Sequence, residues 1–281
     1  MELREIVRSD GRHGALMVAR PAGYASQWSK GGRPQWDARM SCLADPTGND
    51  HGGGLSNAMD RDDPAYKGQR DYSRLLLNAY DPLVLGPIAR FVWRCPTTRL
   101  LQRYRQRIRS HHLDVGPGTG YFLERSGLPD ANPVTILDPN PNVLRHVSQR
   151  LRQLDITAVE ADVLKPLPVS GPFESAALHL VIHCLPGPLT RKAMAVANVA
   201  AVLAPDGVLF GASVLGTSGH HTWLARRLLA TFNWQGGFDN LDDTEEGLRE
   251  ILAASFEQVE LETVGSAAIF AATNPRTDLS H

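Results

Sequence analysis

From His111 onward, short apolar runs alternate with helical stretches, and this alternation restricts the fold more than any other feature of the chain. HHLDV, PVTILD, ITAVEAD, ESAALHLVIH and GVLFGASVL are nearly continuous in apolar residues, as strands buried on both faces of a parallel sheet must be. Between them, Gly120–Ser126, Val143–Leu154, Leu189–Leu203 and Trp223–Phe232 carry helical periodicity. Strand and helix in alternation predict an open α/β sheet wound in both directions from its centre. FEQVELETV and SAAIFAATN follow as two adjacent strands, which brings the sheet to seven with an antiparallel end.

Upstream the pattern changes. Leu75, Leu76, Leu77, Val84, Leu85, Ile88, Phe91 and Val92 recur at helical spacing, interrupted by Pro82, Pro87 and Pro96. Each proline lacks a donor N–H and disfavours helical geometry before it, so this region reads as a cap of short helices. Residues 1–57 hold nine of the 25 glycines without sustained periodicity, which reads as a disordered leader. A start at Met59 would account for it. The expected division is a leader at 1–57, a helical cap at 58–110, a core at 111–272 and a flexible tail at 273–281.

At 281 residues the chain can form one large domain or two modest ones, and 42 % hydrophobic residues exclude wholesale disorder. Lys and Arg total 29 against 30 Asp and Glu, which argues against a general nucleic-acid binder. Arg99, Arg103 and Arg107 recur at four-residue spacing and read as a solvated helix face. Cys42, Cys95 and Cys184 show no metal-ligand or disulfide spacing. No apolar run reaches the roughly 20 residues that span a bilayer, and the amino terminus has no signal-peptide pattern. A cytoplasmic protein with no membrane partner is the expectation, and the oligomeric state is left open.

The strongest local signal is His112-Leu113-Asp114-Val115-Gly116-Pro117-Gly118-Thr119-Gly120-Tyr121. An apolar strand enters a glycine turn that lets a ligand approach the backbone, and a helix follows with its N–H groups free. The dinucleotide fingerprint needs a third glycine where this chain has Tyr121. Asp114 beside the loop would also oppose a pyrophosphate. It favours a cationic ligand, and S-adenosylmethionine (SAM) carries an ammonium and a sulfonium with no phosphate. Asp138, 24 residues after Asp114, ends the second strand, where a carboxylate can accept from both ribose hydroxyls. Capping a helix at Asn142–Gln149 is its other reading, and Asp114 also has a capping reading. Asp162 follows the third strand and can accept from an adenine amine, while Val163 and Leu164 can pack on the ring. In a parallel sheet three such strand ends share one crevice.

Together these residues resemble the class I SAM-dependent methyltransferases over about His111–Leu215, which implies a Rossmann-like doubly wound sheet. DVGPGTG is similar to their first motif, LDPN to the ribose-binding motif and EADVL to the adenine-contacting one. LAPDGVLFGASVL is similar to their closing helix-to-strand element, with Asp206-Gly207 in place of two glycines. The resemblance implies that Gly116, Pro117, Gly118 and Gly120 hold the methionine end. It implies Asp138, Pro139 and Asn140 at the ribose, and Ala161, Asp162 and Val163 at the adenine. His179 falls where the family has Asn or Ser facing the methionyl part, and His183 where it often has histidine.

Methyl transfer is an in-line displacement with a neutral leaving group, so it requires no metal, and orientation supplies much of the acceleration. A base is needed only where the nucleophile must lose a proton. His183 is the candidate, because imidazole titrates near neutrality; plain packing is its alternative. Tyr80 is the preferred cofactor contact in the cap, with Tyr72 nearby, while Trp93 reads as core. Phe232 and Phe238, with Trp223 and Trp234, suggest an apolar, ring-bearing small-molecule acceptor. Two alternatives stay open on the sequence: an NAD(P)-dependent oxidoreductase, and a SAM-binding protein without catalysis.

Overall fold

The computed structural model describes residues 84–129, 132–217 and 220–276. The leader, Met59, Tyr72 and Tyr80 lie outside the described residues.

Seven strands form one sheet: β1 (His112–Val115), β2 (Pro133–Leu137), β3 (Asp155–Val159), β4 (Phe173–His179), β5 (Leu203–Val214), β6 (Phe256–Val264) and β7 (Ala267–Pro275). Their order is β3-β2-β1-β4-β5-β7-β6. β1 to β5 are parallel, and β7 runs antiparallel to both β5 and β6. The chain winds outward from β1 to β3 and then returns to lay β4 beside β1. That reversal opens a crevice at the carboxyl ends of β1 and β4.

The described part of the cap is a wound segment α1 (Val84–Val92) and a helix α2 (Thr97–Arg107). Pro87 lies inside α1, and the backbone kinks at Gly86. The hydroxyl of Thr97 donates to the Leu85 carbonyl and ties the two together. The remaining helices are α3 (Tyr121–Glu124), α4 (Pro141–Arg150), α5 (Leu189–Ala200), α6 (Trp223–Trp234) and α7 (Glu245–Ser255). Their starts follow from local chemistry. Asn140 caps α4 by accepting from the Asn142 N–H at 2.9 Å, with Pro141 in the first turn. Thr222 and Thr244 cap α6 and α7 in the same way.

Alternating side chains of the strands build two cores. Leu113, Leu178, Leu209 and Phe270 pack under α5 and α7. Val134, Ile136, Ala177 and Phe210 pack under α2 and α4. The doubly wound sheet with helices on both faces is therefore as expected.

Several boundaries differ. β3 stops at Val159, so Ala161, Asp162 and Val163 lie in a loop. β4 stops at His179, and His183 sits on a short helical turn, Ile182–Cys184. β7 continues to Pro275, with Thr273 and Pro275 paired to Gln258 and Phe256, so the first three residues of the expected tail belong to the sheet. Arg99, Arg103 and Arg107 form a partly exposed stripe that is also paired across to the sheet. Arg99 and Arg103 pair with Glu262 of β6 at 2.9 and 3.0 Å, and Arg107 pairs with Glu260. Among the described residues no helix is long and apolar enough to cross a membrane.

One buried ion pair ties α5 to the segment that leads into α7. Lys192 of α5 is wholly buried, and its Nζ donates to Asp243 Oδ2 at 2.7 Å and to the Asp239 carbonyl at 2.5 Å. Removing one partner of such a pair leaves a buried charge uncompensated. Lys192→Met is expected to cost about 3–5 kcal/mol in urea unfolding, and adding Asp243→Leu to recover most of it. A loss under about 1 kcal/mol, the size for an exposed pair, would contradict this reading.

Candidate active site

A cavity of about 130 Å³ opens at the switch between β1 and β4. Its walls come from the glycine loop (Gly116 to Thr119), from Tyr121 and Phe122 of α3, from Asp138 and Asn140, and from the segment His179–Val181. The loop needs its glycines for two different reasons. Gly116 has φ +64°, and a Cβ there would lie 2.7 Å from Val181 Cγ2. Gly118 has φ +58° and faces open space, so its backbone is free to meet a ligand.

Asp114 turns away from this cavity into a buried hydrogen-bond chain. Tyr104 of α2 donates to Asp114 Oδ2 at 2.8 Å, and the same hydroxyl lies 3.2 Å from His112 Nε2. His112 Nδ1 lies 2.9 Å from Ser175 Oγ, which accepts from the Arg109 N–H at 2.9 Å. Because Tyr104 donates to the carboxylate, His112 must donate through Nε2 and accept from Ser175 at Nδ1. Every donor in the chain therefore points toward Asp114. Burial still pushes the Asp114 carboxyl up to about 7, opposed by the Tyr104 bond, and holds His112 down to about 3.

Asp138 is half-buried in the cavity wall, where one of its oxygens accepts from the Asn140 N–H at 2.7 Å. Its backbone N–H donates to the Val159 carbonyl at 3.2 Å, so the loop carrying Ala161–Val163 begins beside it. Desolvation outweighs the Asn140 bond and pushes the Asp138 carboxyl up to about 7. His179 is 93 % buried by difference from its 7 % exposure, and neither ring nitrogen has a partner among the described residues. Burial holds it neutral, down to about 3. A buried polar ring with both nitrogens unsatisfied is costly unless a ligand completes it.

A second, narrower recess shares Leu85 and Leu180 with the first. Trp93, Leu100, Val214 and Phe238 are among its apolar walls, and His183 is its polar member. Trp93, Phe232 and Phe238 form one aromatic cluster, with ring centroids 4.9–6.5 Å apart.

A methyltransferase-domain family model matches residues 113–207. Demethylluteothin O-methyltransferase of Streptomyces thioluteus is 36% identical over 213 residues, 75% of this chain and 93% of its own. The chain belongs to the SAM-dependent methyltransferases. The N-methyltransferase vrtF of Penicillium aethiopicum is also similar, at 37% identity over 66% of this chain and 79% of its own. A candidate O-methyltransferase from Nostoc punctiforme PCC 73102 shares the fold, with a TM-score of 0.52 at 14% identity over 70% of this chain and 58% of its own.

The methyltransferase cavity fits its cofactor. An open glycine backbone, a carboxylate short of donors and an unpartnered buried imidazole together suit a ligand with a diol, an ammonium and a carboxylate. The described structure brings Gly116, Pro117, Gly118, Asp138, Asn140 and His179 to one wall. It does not bring the others there. Gly120 instead packs on Val147, 3.2 Å from where its Cβ would be. Ala161 and Val163 are buried in the core, and Asp162 accepts from the Leu164 N–H at 2.9 Å. Pro139 is half-buried outside the lining. Trp223 and Trp234 are 71% and 80% exposed and lie outside the recess that Phe238 lines.

Sequence reasoning missed Phe122, Leu180, Val181 and Cys184. Leu180 has φ +64°, a strained value for a branched side chain, and it turns the chain out of β4 so that its own side chain borders both cavities. Leucine gives no warning of such a turn.

The carboxylate form of Asp138 offers a charged acceptor at each oxygen, whereas protonation turns one oxygen into a donor and leaves a weaker, neutral acceptor for a diol. Its raised value means that binding of S-adenosylhomocysteine (SAH) should weaken as pH falls through about 7 and level off above it. Calorimetry between about pH 5.5 and 8.5 should show up to roughly tenfold per unit on the acid side, with a shallower slope in Asp138→Asn. A flat wild-type profile would contradict the assignment.

Proposed function

We propose that the chain methylates a heteroatom of an apolar, ring-bearing small molecule. The observation that carries this reading is the second recess, walled by Trp93, Leu100, Val214 and Phe238, opening beside the cofactor cavity across Leu85 and Leu180. The recess has about 40 Å³ of free space, so the reacting edge of an apolar acceptor enters it rather than the whole molecule, while a polymer end would find few charged or polar contacts there. The relatives act in keeping with this, one named for an oxygen and one for a nitrogen.

In this reading Asp138 accepts from the ribose hydroxyls. The backbone of Gly116–Gly118 and the His179 ring hold the methionyl end, and the adenine extends toward Asp162. When bound, SAM supplies an electrophilic methyl on a cationic sulfur. The chain's own contribution is to aim the acceptor atom along that bond and to exclude water. Leu85 and Leu180 border both cavities and are the apolar side chains between the two ligands in this reading. Holding reactants in line in this way is worth up to roughly 7–11 kcal/mol of barrier.

Incubation of a cell extract with the protein and isotopically labelled SAM, followed by untargeted mass spectrometry, tests the reading. A small molecule that gains one labelled methyl is the expected result. Label found only in RNA or protein would overturn it.

A further inference from the structure

His183 is fixed by a donor. The backbone N–H of Val214 donates to its Nδ1 at 3.2 Å, and Ser213 Oγ lies 3.5 Å from the same nitrogen. A backbone N–H can only donate, so Nδ1 carries the lone pair and the proton of the neutral ring sits on Nε2. The ring therefore offers the recess a donor, with no lone pair at Nε2 to take a proton. Protonating Nδ1 would set two N–H groups against each other.

The surroundings agree. Phe238 meets the ring edge-on at 4.4 Å. Lys192 of α5, bonded to Asp243 and the Asp239 carbonyl, is the nearby cation. The Asp239 N–H donates to the His183 carbonyl, and no carboxylate bonds the ring among the described residues. Burial first, then Lys192, holds the imidazole down to about 3, so it is neutral at physiological pH. The orienting carboxylate that stabilises an imidazolium in a catalytic triad has no counterpart here.

No other base lines the recess among the described residues. Besides His183, its walls are aliphatic or aromatic side chains and Cys95. Burial pushes the Cys95 thiol up to about 11, so it stays protonated.

The geometry points to His183 as a hydrogen-bond donor to the acceptor oxygen, and to an acceptor that enters already ionised: an enol or phenol made acidic by a conjugated carbonyl. This rests on reading the recess as the acceptor site. The hydroxyl proton goes to solvent before binding. In the transfer step an oxygen lone pair forms the new O–CH₃ bond while the methyl–sulfur bond breaks, its electron pair passing to sulfur. An anion and a cation become two neutral molecules, and no proton moves. An oxyanion in an apolar recess would be tolerated because bound SAM would bring a positive sulfur and the His183 Nε2–H would stand beside it.

Two measurements on the whole protein test this. The first is ¹⁵N NMR of the histidine rings in the SAH complex from about pH 6 to 9, with His183 assigned by difference from His183→Gln. The expected result is a neutral Nε2–H ring throughout. An Nδ1–H ring, or a ring that charges in this range, overturns the proposal whatever the acceptor is. The second uses the acceptor found by the labelled-methyl experiment. The kcat/KM profile should break at that acceptor's own solution pKa, at the same pH in wild type and His183→Gln. His183→Leu should lose roughly 100-fold, with His183→Gln recovering part of it through its amide N–H. A break that disappears in His183→Gln, or an acceptor hydroxyl with an ordinary phenolic pKa of about 10, overturns the proposal. Absence of any labelled small molecule would count against the functional reading alone, since the NMR result stands apart from it.

Discussion

A carboxylate buried in the central strand must be given donors, and the arrangement of this protein follows from how Asp114 obtains one. Tyr104 reaches down from α2 to supply it, and His112 and Ser175 extend the chain across β1 and β4. Leaving the carboxylate unpaired would cost several kcal/mol, so α2 is held against the sheet at one place. Thr97 at the start of α2 in turn holds Leu85, and Leu85 borders both cavities. Two buried hydrogen bonds on one helix, Tyr104 to Asp114 and Thr97 to Leu85, thus link the strand that leads into the glycine loop to the element that borders both cavities.

The electrostatics of the crevice extend the same theme. Asp114 and Asp138 are both raised to about 7 by burial, while His179 and His183 are both held neutral. Asp114 and His183 already have protein donors, whereas Asp138 and His179 face the cavity with acceptor or ring atoms to spare. A ligand that brings hydroxyl donors satisfies Asp138, and a diphosphate placed there would be repelled by its carboxylate form.

The features legible in the sequence were those written in local pattern. The parallel strands show as apolar runs, the turn at Gly116–Gly118 shows as glycine at alternate positions, and Asp138 stands at a strand end where side-chain direction is fixed by the pleat. What was not legible depends on chain segments far apart in sequence. The hidden pair of Lys192 with Asp243 looks like two ordinary surface residues, and the arginines of α2 look solvated until β6 brings Glu260 and Glu262 to them. The tautomer of His183 is set by a backbone N–H thirty-one residues away. Loop direction was the other gap: Asp162 points back to its own backbone at Leu164, which its position after a strand does not reveal.

The central claim is that the crevice between β1 and β4 is built for a cationic, phosphate-free nucleoside. Calorimetric titration of the whole protein with SAH and, separately, with NAD tests it most directly. Saturable one-site binding of SAH with no heat from NAD is the predicted result. Binding of NAD with no response to SAH would contradict the account.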